Sequence, residues 1–536
     1  MSGTLDRLIA WVSPETALRR HVARRRLEIL DSGYSQHGAS RTKPSLAGWY
    51  ASSRSPDDDI TRNLPDLRER SRDLFMGVPM AHAALKTVRT NVVGMGLQMK
   101  CRLDANLLGM TVERKEEWES SVEREFAFWC ERESDAAGIW TFGQIQSLAL
   151  LSMLMSGDVF ALLPMVEASA GIYSLRVRLI EADRVCNPLG RPETQDLSGG
   201  VETGENGEVL AYHVCSRFPK SSTDWTAATW ARVEPRGSLS GRRQIVHLFQ
   251  DPERPEQRRG VPFLAPVIES LKQLGRYSDA ELMAAVVSGM YTVFIKSAAP
   301  EVAPGEAGRG WAGAQAPEDA ASSQPEPEQT VSLGNGAVVS LAEGEDISLA
   351  NPTRPNANFD GFVNAVARQI GAALEIPYEV LVKQWTASYS ASRAAFLEAW
   401  KMFRMRRAWT ASGFCQPIYE EWLAEAVALG RIDAPGFLAD PFVRWAYSRA
   451  DWIGPSPGQV DPLKEVEAAK TRIDEGLSTR ERETAELTGG DWEENHIQRV
   501  KEERMRSEGG LKGGSESAGE GAKQGYQKVL DPDDPE

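Results

Sequence analysis

Residues 262–293 read PFLAPVIESLKQLGRYSDAELMAAVVSGMYTV, and residues 358–376 read NFDGFVNAVARQIGAALEI. In the first stretch Val267, Leu271, Leu274, Leu282 and Val286 recur at spacings of three, four or eight, which predicts a helix. At 1.5 Å of rise per residue it is about 45 Å long. In the second stretch Asn358 is a good N-cap, and Phe359, Phe362, Val366, Ile370 and Leu374 follow at helical spacing until Pro377 stops the helix. Between the two, residues 297–330 are rich in Pro, Ala, Glu and Gly. Such a composition buries too little apolar surface to offset the entropy of ordering, so a mobile loop is expected there. Residues 331–341 and 347–349 are expected as short strands. The organising unit is a helix, a loop-bearing β insert and a second helix.

Towards the C-terminus a helical block spans residues 391–429. Phe396, Trp400 and Phe403 line one face with Arg404, Arg406 and Arg407 nearby. Gly413 is expected to break this helix. It restarts at Pro417, carries Tyr419, Trp422, Leu423 and Ala426 on one face, and ends at Gly430. Six of the fifteen tryptophans fall between Trp385 and Trp452, which places a large aromatic core here. Residues 461–505 are amphipathic and charge-rich; the stretch from Glu508 onward has almost no apolar anchor and is expected to be disordered. Towards the N-terminus the period shifts to two. Tyr173-Ser-Leu-Arg-Val-Arg-Leu-Ile alternates, residues 209–214 follow the turn Glu205-Asn206-Gly207, and residues 245–249 form a third candidate strand. Further back, Trp118, Val122, Phe126 and Trp129 mark a helix over 112–129, and a helix is expected over 67–93, ending at Gly94 and Gly96. A loose stripe of Leu18, Val22, Leu27 and Leu30 opens the chain, followed by an extended arm over 31–59. The fold class is α+β, mainly helical.

At about 100–200 residues per domain, 536 residues suggest three or four structural units. The 61 basic and 76 acidic side chains leave a formal charge of −15, which argues against a protein that grips nucleic acid by neutralising phosphates. The charge is uneven. Residues 1–100 hold 16 bases and 10 acids, whereas 301–350 hold nine acids against Arg309 alone. A basic arm on an acidic body has two readings, a contact for nucleic acid or an acidic partner, and a helix face turned to water. Five scattered cysteines (Cys101, Cys130, Cys186, Cys215, Cys415) have no C-x-x-C spacing, which fits a reducing compartment and excludes a disulfide framework or a sequence-evident zinc site. The most apolar stretch, 147–166, is interrupted by Ser156, Gly157 and Asp158, too early for a membrane span of about 20 residues. A soluble intracellular protein is expected.

Catalytic signatures are sparse. There is no G-x-x-x-x-G-K-[ST] and no H-E-x-x-H, and the six histidines never pair at helical spacing. His213 and His247 lie on candidate strands and read as structural. Gly94-Met-Gly96 lacks the third glycine of a dinucleotide fingerprint. Gly454-Pro-Ser456-Pro-Gly458 matches G-x-S-x-G, but the residue after the serine is Pro457, which has no N–H to donate to an oxyanion, so it reads as a turn. The carboxylate clusters 57–59 and 533–534 sit in polar stretches without the rigid support a metal or acid–base site needs. No catalytic residue, metal or cofactor is expected.

Several strings in order do carry a resemblance. They are Asn91-Val-Val-Gly-Met-Gly, Ser156-Gly-Asp-Val-Phe, Leu179-Ile-Glu-Ala-Asp-Arg, and Gly200-Val-Glu followed by Gly207 and Ala211-Tyr-His. Next come His247-Leu-Phe, Arg254-Pro-Glu-Gln, Arg259-Gly-Val-Pro and Asp279-Ala-Glu-Leu-Met-Ala-Ala. Ser388-Tyr-Ser-Ala-Ser-Arg-Ala-Ala and Asp461-Pro-Leu-Lys-Glu complete the series. From residue 60 to 500 the chain resembles the portal proteins of lambda-type tailed bacteriophages. The resemblance implies a non-enzymatic ring, normally of twelve copies, at one capsid vertex of the virion, assembled in the bacterial host cytoplasm. It passes double-stranded DNA during packaging and ejection. The partners implied are further copies of the chain, the terminase large subunit, major capsid and scaffold proteins, and head-completion or tail proteins; no membrane is involved.

On that resemblance, 60–261 is an α/β wing, 262–293 the first stem helix and 294–357 a clip containing the low-complexity loop. Residues 358–381 are the second stem helix, 382–390 a channel loop and 391–505 the return helices and crown; outside the resemblance, 1–59 is expected as a basic arm and 506–536 as a disordered acidic tail. In the loop Val382, Lys383, Gln384, Trp385, Ser388, Tyr389 and Ser390 are candidates to meet DNA. Lys383, Gln384 and Trp385 would touch phosphate or sugar without reading sequence. The other reading puts Trp385 in the core and Lys383 in solvent. Arg393 is a candidate for an intersubunit ion pair. Without the resemblance the chain reads as an adaptor or scaffold, or as a hydrolase whose site is assembled from distant residues.

Overall fold

The computed structural model describes residues 11–30, 39–40, 43–46, 48–167, 171–221, 227–289, 293–297, 345–349, 359–385, 388–458 and 462–509. Residues 1–59 form one compact unit and 60–536 a second. In the first, helix α1 (Pro14–Leu30) is stitched by an Arg19–Glu15 pair at 3.0 Å and leaves Leu18 and Val22 exposed.

The second unit opens with α2 (Leu64–Gly77) and α3 (Pro79–Val92). One helix was expected over this stretch. Pro79 divides it, because proline has no N–H to donate and holds Val78 in an extended conformation, ψ 113°, before serving as the first residue of α3. Strand β1 (Gln98–Cys101) leads to α4 (Val112–Arg132), and α5 (Phe142–Ser156) starts at a reciprocal cap between Thr141 and Gln144. Strands β2 (Asp158–Leu162), β3 (Arg178–Glu181), β4 (Leu197–Ser198), β5 (Val201–Thr203), β6 (Val209–Cys215), β7 (Trp230–Val233) and β8 (Ile245–Phe249) follow. They form two antiparallel sheets, ordered β3-β2-β8 and β4-β5-β6-β7.

Two of the expected strands are present over residues 209–214 and 245–249. The third is shorter than the alternation from Tyr173 suggests, and side chains explain why. Glu133 accepts the Ile172 and Tyr173 N–H groups, Glu425 those of Ser174 and Leu175, and Trp129 donates to the Leu175 carbonyl. Before Arg178 the stretch therefore makes only single bridges, Leu175 to Met165 and Val177 to Asp135, rather than a continuous ladder.

The helical pair is α6 (Ile268–Gly289), which begins later than the periodicity implied, and α7 (Phe359–Ala373), which begins as an Asn358 cap implied and ends three residues short of Ile376. Between them β9 (Val293–Ser297) pairs antiparallel with β10 (Glu345–Leu349), which contains the expected 347–349 strand. The low-complexity run from 298 onward, the expected strand 331–341 and the tail beyond 509 lie outside the described residues. Then come α8 (Tyr378–Val382), α9 (Tyr389–Thr410), α10 (Gln416–Ala428), α11 (Pro441–Tyr447) and β11 (Ala450–Ile453), which pairs antiparallel with β1. Last are α12 (Pro462–Asp474), α13 (Arg480–Thr488) and α14 (Trp492–Glu508).

Gly413 does not break the helical block. The chain runs from α9 into α10 through a π turn, Ala411–Cys415, that absorbs one extra residue. The glycine is there for a close approach: a Cβ on it would lie 3.3 Å from Leu248 Cδ1 of β8. The expected aromatic core is present. Phe126 meets Tyr419, Trp422 and Trp452 edge-on at 5.2, 4.9 and 6.1 Å, and Trp129 packs on Phe142. Trp385 and Trp445 stand outside it, each about half exposed.

Candidate functional site

The stretch 382–390 is divided between three elements. Val382 is the last residue of α8, and Lys383 caps that helix in the left-handed conformation, φ 56°, its N–H returning to Glu379 O. Gln384 and Trp385 follow, exposed; Ser388 caps α9 by accepting from the Ala391 N–H, and Tyr389 and Ser390 are its first two residues. The connecting segment is therefore 383–388, shorter than the expected loop, because Ser388 caps a helix that already takes in Tyr389 and Ser390. Its base is fastened: Tyr378 Oη donates to Asn364 Oδ1 at 2.7 Å, and the Arg368 guanidinium lies 5.4 Å over the Tyr378 ring. Half of Trp385 faces solvent, which sets aside its core reading in this chain. Arg393, on the first turn of α9, is 3.8 Å from Glu465 of the same chain.

A second constellation was not assembled from the sequence at all. Asp158, at the head of β2, is fully buried. Its carboxylate accepts from Arg259 Nε at 2.6 Å and Nη2 at 3.0 Å, from Arg68 Nη2 at 3.0 Å and from the Gly260 N–H at 3.2 Å. His247 Nε2 lies 3.3 Å away, with its ring stacked 4.2 Å from Phe160. The remaining donors reach carbonyls. Arg259 bonds Val185 O and Ala182 O at 2.8 Å and also Gly199 O, and Arg68 Nε bonds Ser156 O at 2.8 Å. Arg72 pairs with Asp183 and reaches Ser156 Oγ. Every buried cation thus has an acceptor.

Most of these residues belong to strings that carried the resemblance: Ser156-Gly-Asp-Val-Phe, Leu179-Ile-Glu-Ala-Asp-Arg, His247-Leu-Phe and Arg259-Gly-Val-Pro, with Gly199 just before Gly200-Val-Glu; Arg68 and Arg72 lie outside them. Separated by up to a hundred residues, they meet around one carboxylate. The backbones are as close as the charges. A Cβ on Gly157, whose φ is +92°, would lie 2.2 Å from Gly260 O, so only glycine fits there. The signal that would have found the cluster was in the sequence. A lone acid inside the apolar run 147–166 is almost never buried unpaired, so Asp158 called for a cation.

Electrostatics follow from this packing. Burial pushes the Asp158 carboxyl up, but Arg259 and Arg68 outweigh it and hold the group well below the usual carboxylate range. Burial, reinforced by the like charge of Arg259 and opposed by Asp158, pushes Arg68 down to about 10, still charged at neutral pH. Burial likewise lowers His247 against the pull of Asp158, so the neutral ring is favoured.

None of this is catalytic geometry. Among the described residues no three His, Cys, Asp or Glu side chains gather as a metal site would need. Burial first, and Glu119 next, push the Cys101 thiol up to about 12; Cys130, Cys186 and Cys415 are raised by burial as well, the opposite of a reactive thiolate. His213 faces Glu202 across a sheet at 3.1 Å. Ser456 lies in a stretch without regular secondary structure after β11, and Pro455 O accepts from Arg407 at 2.6 Å. No described helix is long and apolar enough to cross a membrane.

Comparison with known proteins gives a consistent result. The sequence profile of a family described as "Phage portal protein, lambda family" matches residues 42–407. The chain is 28% identical over 488 residues to the portal protein of Escherichia phage N15, covering 87% of this chain and 89% of that one. It is 27% identical over 494 residues to portal protein B of Escherichia phage lambda, covering 89% and 90%. Among solved structures, a chain from the neck of an empty GTA particle, computed with C6 symmetry, superposes with a TM-score of 0.45 at 13% identity, covering 84% of this chain and 99% of that chain.

Proposed function

As the chain belongs to the lambda family of phage portal proteins, we propose that it assembles into a closed ring of about twelve copies at one capsid vertex, through which duplex DNA enters and leaves. The observation that carries this reading is the family match over 42–407, which runs through the two larger sheets, the helical pair and the exposed residues Lys383, Gln384 and Trp385. In this reading 60–261 is the wing, α6 and α7 are the stem, and the β9–β10 insert over 294–357 is the clip that docks the terminase large subunit. Residues 391–505 return to the wing and crown, where capsid, scaffold and head-completion proteins gather. Lys383, Gln384 and Trp385 lie in the segment that projects into the channel, and Arg393 lies near a neighbouring copy.

The charge supports a conduit rather than a clamp. A duplex that must slide is slowed by each phosphate neutralised, because counterions are released and must be taken up again at every step. A formal −15 per copy repels the duplex evenly and keeps it centred. The buried cluster around Asp158 contributes rigidity, since it joins α2, β2, β8 and the Arg259 segment without relying on solvent-exposed pairs. Negative-stain imaging of the purified full-length chain tests the proposal. Many-fold symmetric rings with a central channel are expected; a monomer or dimer at every concentration overturns it.

A further inference from the structure

Residues 462–509 carry α12–α14, and among their described side chains only Ala469 and Glu483 are buried. Neither joins the main apolar core, which in chain order ends at Tyr447 with Trp452 packed against it. The ion pairs described between this block and the preceding residues, five in number, share one polarity. Lys100 Nζ is 2.8 Å from Asp491 and 2.9 Å from Glu493, Arg102 pairs with Glu481, Arg404 is 3.6 Å from Glu486, and Arg393 is 3.8 Å from Glu465. In each, the base belongs to the body and the acid to the block. Burial lowers the Lys100 ammonium, but Asp491 and Glu493 more than reverse that and raise it.

The surface beside these bases is concave. A cavity of about 680 Å³ is lined by Arg102, Arg404, Arg449, Trp445 and Trp452, among others. A second, of about 260 Å³, shares Arg404 and Trp452 and includes Ala485 and Glu486 of α13 in its wall. Arg407 lines both but spends its guanidinium on the Asn91, Val92 and Pro455 carbonyls, so it serves structure. Arg102 and Arg404 keep 32% and 54% of their side chains exposed even with the block in place. A guanidinium fork takes a carboxylate or a phosphate with the same geometry.

We propose that residues 462–509 are an acidic cover, held over a phosphodiester-binding surface centred on Lys100, Arg102 and Arg404, and that the backbone of duplex DNA competes with the cover for these cations. The identity of the polyanion rests on the portal reading; the polarity of the seam and the arginine-lined cavity do not. With little apolar surface shared, the cover is held mainly by interactions that salt screens within about 8–10 Å. The seam therefore gives an acidic protein a contact for DNA that stays masked until the block lifts.

The test is fluorescence anisotropy of a labelled duplex of about 30 base pairs with full-length protein at low salt, where phosphate contacts are strongest. E481Q/E486Q/D491N/E493Q, which removes the cover's carboxylates paired with Lys100, Arg102 and Arg404, is expected to bind about tenfold more tightly than the parent, with a steeper fall in affinity as salt rises. Adding R102Q/R404Q is expected to cancel the gain. No gain in a variant whose circular dichroism and thermal unfolding match the parent overturns the proposal. So does a gain that survives R102Q/R404Q, since it would come from net charge alone. Should the fourfold variant fail to fold, E486Q/E493Q removes only acids that are at least 40% exposed and is expected to give a gain of about threefold, with the same R102Q/R404Q control and the same overturning results. Rings imaged in the same sample separate the two claims: rings without a gain refute the cover alone, and a gain without rings refutes the portal reading alone.

Discussion

Asp158 and Asp491 are both carboxylates held by cations from distant parts of the chain, yet they do different work. Asp158 has no solvent exposure, two guanidiniums and a backbone N–H, and the cations around it are satisfied by carbonyls. Asp491 is partly exposed and shares Lys100 with Glu123 and Glu493. The difference lies in the surroundings. Around Asp158 the aromatic and aliphatic packing of Phe160, Ile180 and Val185 excludes water, so the charges have no alternative partner. Along the seam to α12–α14, water and salt compete for every pair. The same chemistry fixes a fold in one place and holds a detachable block in the other.

The largest expected effect comes from breaking the buried member. D158N leaves Arg259 and Arg68 facing each other without their shared anion, and removing one partner of a buried pair costs about 3–5 kcal/mol. Denaturant unfolding measures it, and a loss below about 1 kcal/mol would mean that the cluster relaxes into contact with water.

The next effect concerns pH. His247 is lowered by burial and Asp158 is held low by its arginines, so both bind fewer protons folded than unfolded. Their contributions to stability are present above the unfolded values and are lost as pH falls, His247 first, below about pH 6.5, and Asp158 below about pH 4. Unfolding midpoints followed from pH 7.5 to 5 should decline, and H247Q should flatten that decline while leaving the slope below pH 4 in place.

On the seam, K100M removes the shared cation of three carboxylates, and charge-assisted hydrogen bonds of this kind contribute about 1.5–3 kcal/mol. Hydrogen exchange should quicken in α14 and remain unchanged in β2. The smallest effect belongs to a pair that is all surface: R504A removes the partner of Glu508 and should change unfolding by no more than about 0.5 kcal/mol.

Much of this architecture is legible in the sequence wherever local patterning decides it. The spacing of Trp118, Val122, Phe126 and Trp129 places the face of α4 that is buried, and the caps and prolines of the helical block place α9 and α10 within a few residues. Misreadings arise where a residue has two uses. Pro79 was absorbed into an apolar period although it splits the helix, and Gly413 was read as a breaker although it lets a π turn approach Leu248. Tyr173–Val177 alternates like a strand, but Glu133 and Glu425 take the N–H groups of Tyr173, Ser174 and Leu175.

The candidate loop was legible as a stretch but not in extent, since Ser388 caps a helix that takes in Tyr389 and Ser390. The Asp158 cluster was present only as separate strings, because contacts between residues ninety or more apart leave no periodicity. The seam was less legible still. Charge counts report how many acids 461–536 carries but not which bases they face.

One measurement addresses the contrast directly: hydrogen exchange by mass spectrometry on the full-length chain at about 0.1 M and about 1 M salt, where the screening length shortens from about 10 to 3 Å. The account predicts that amides of α12–α14 lose protection at high salt while those of β2 and β8, around Asp158, keep theirs. Equal protection of both regions at both salt concentrations would contradict it.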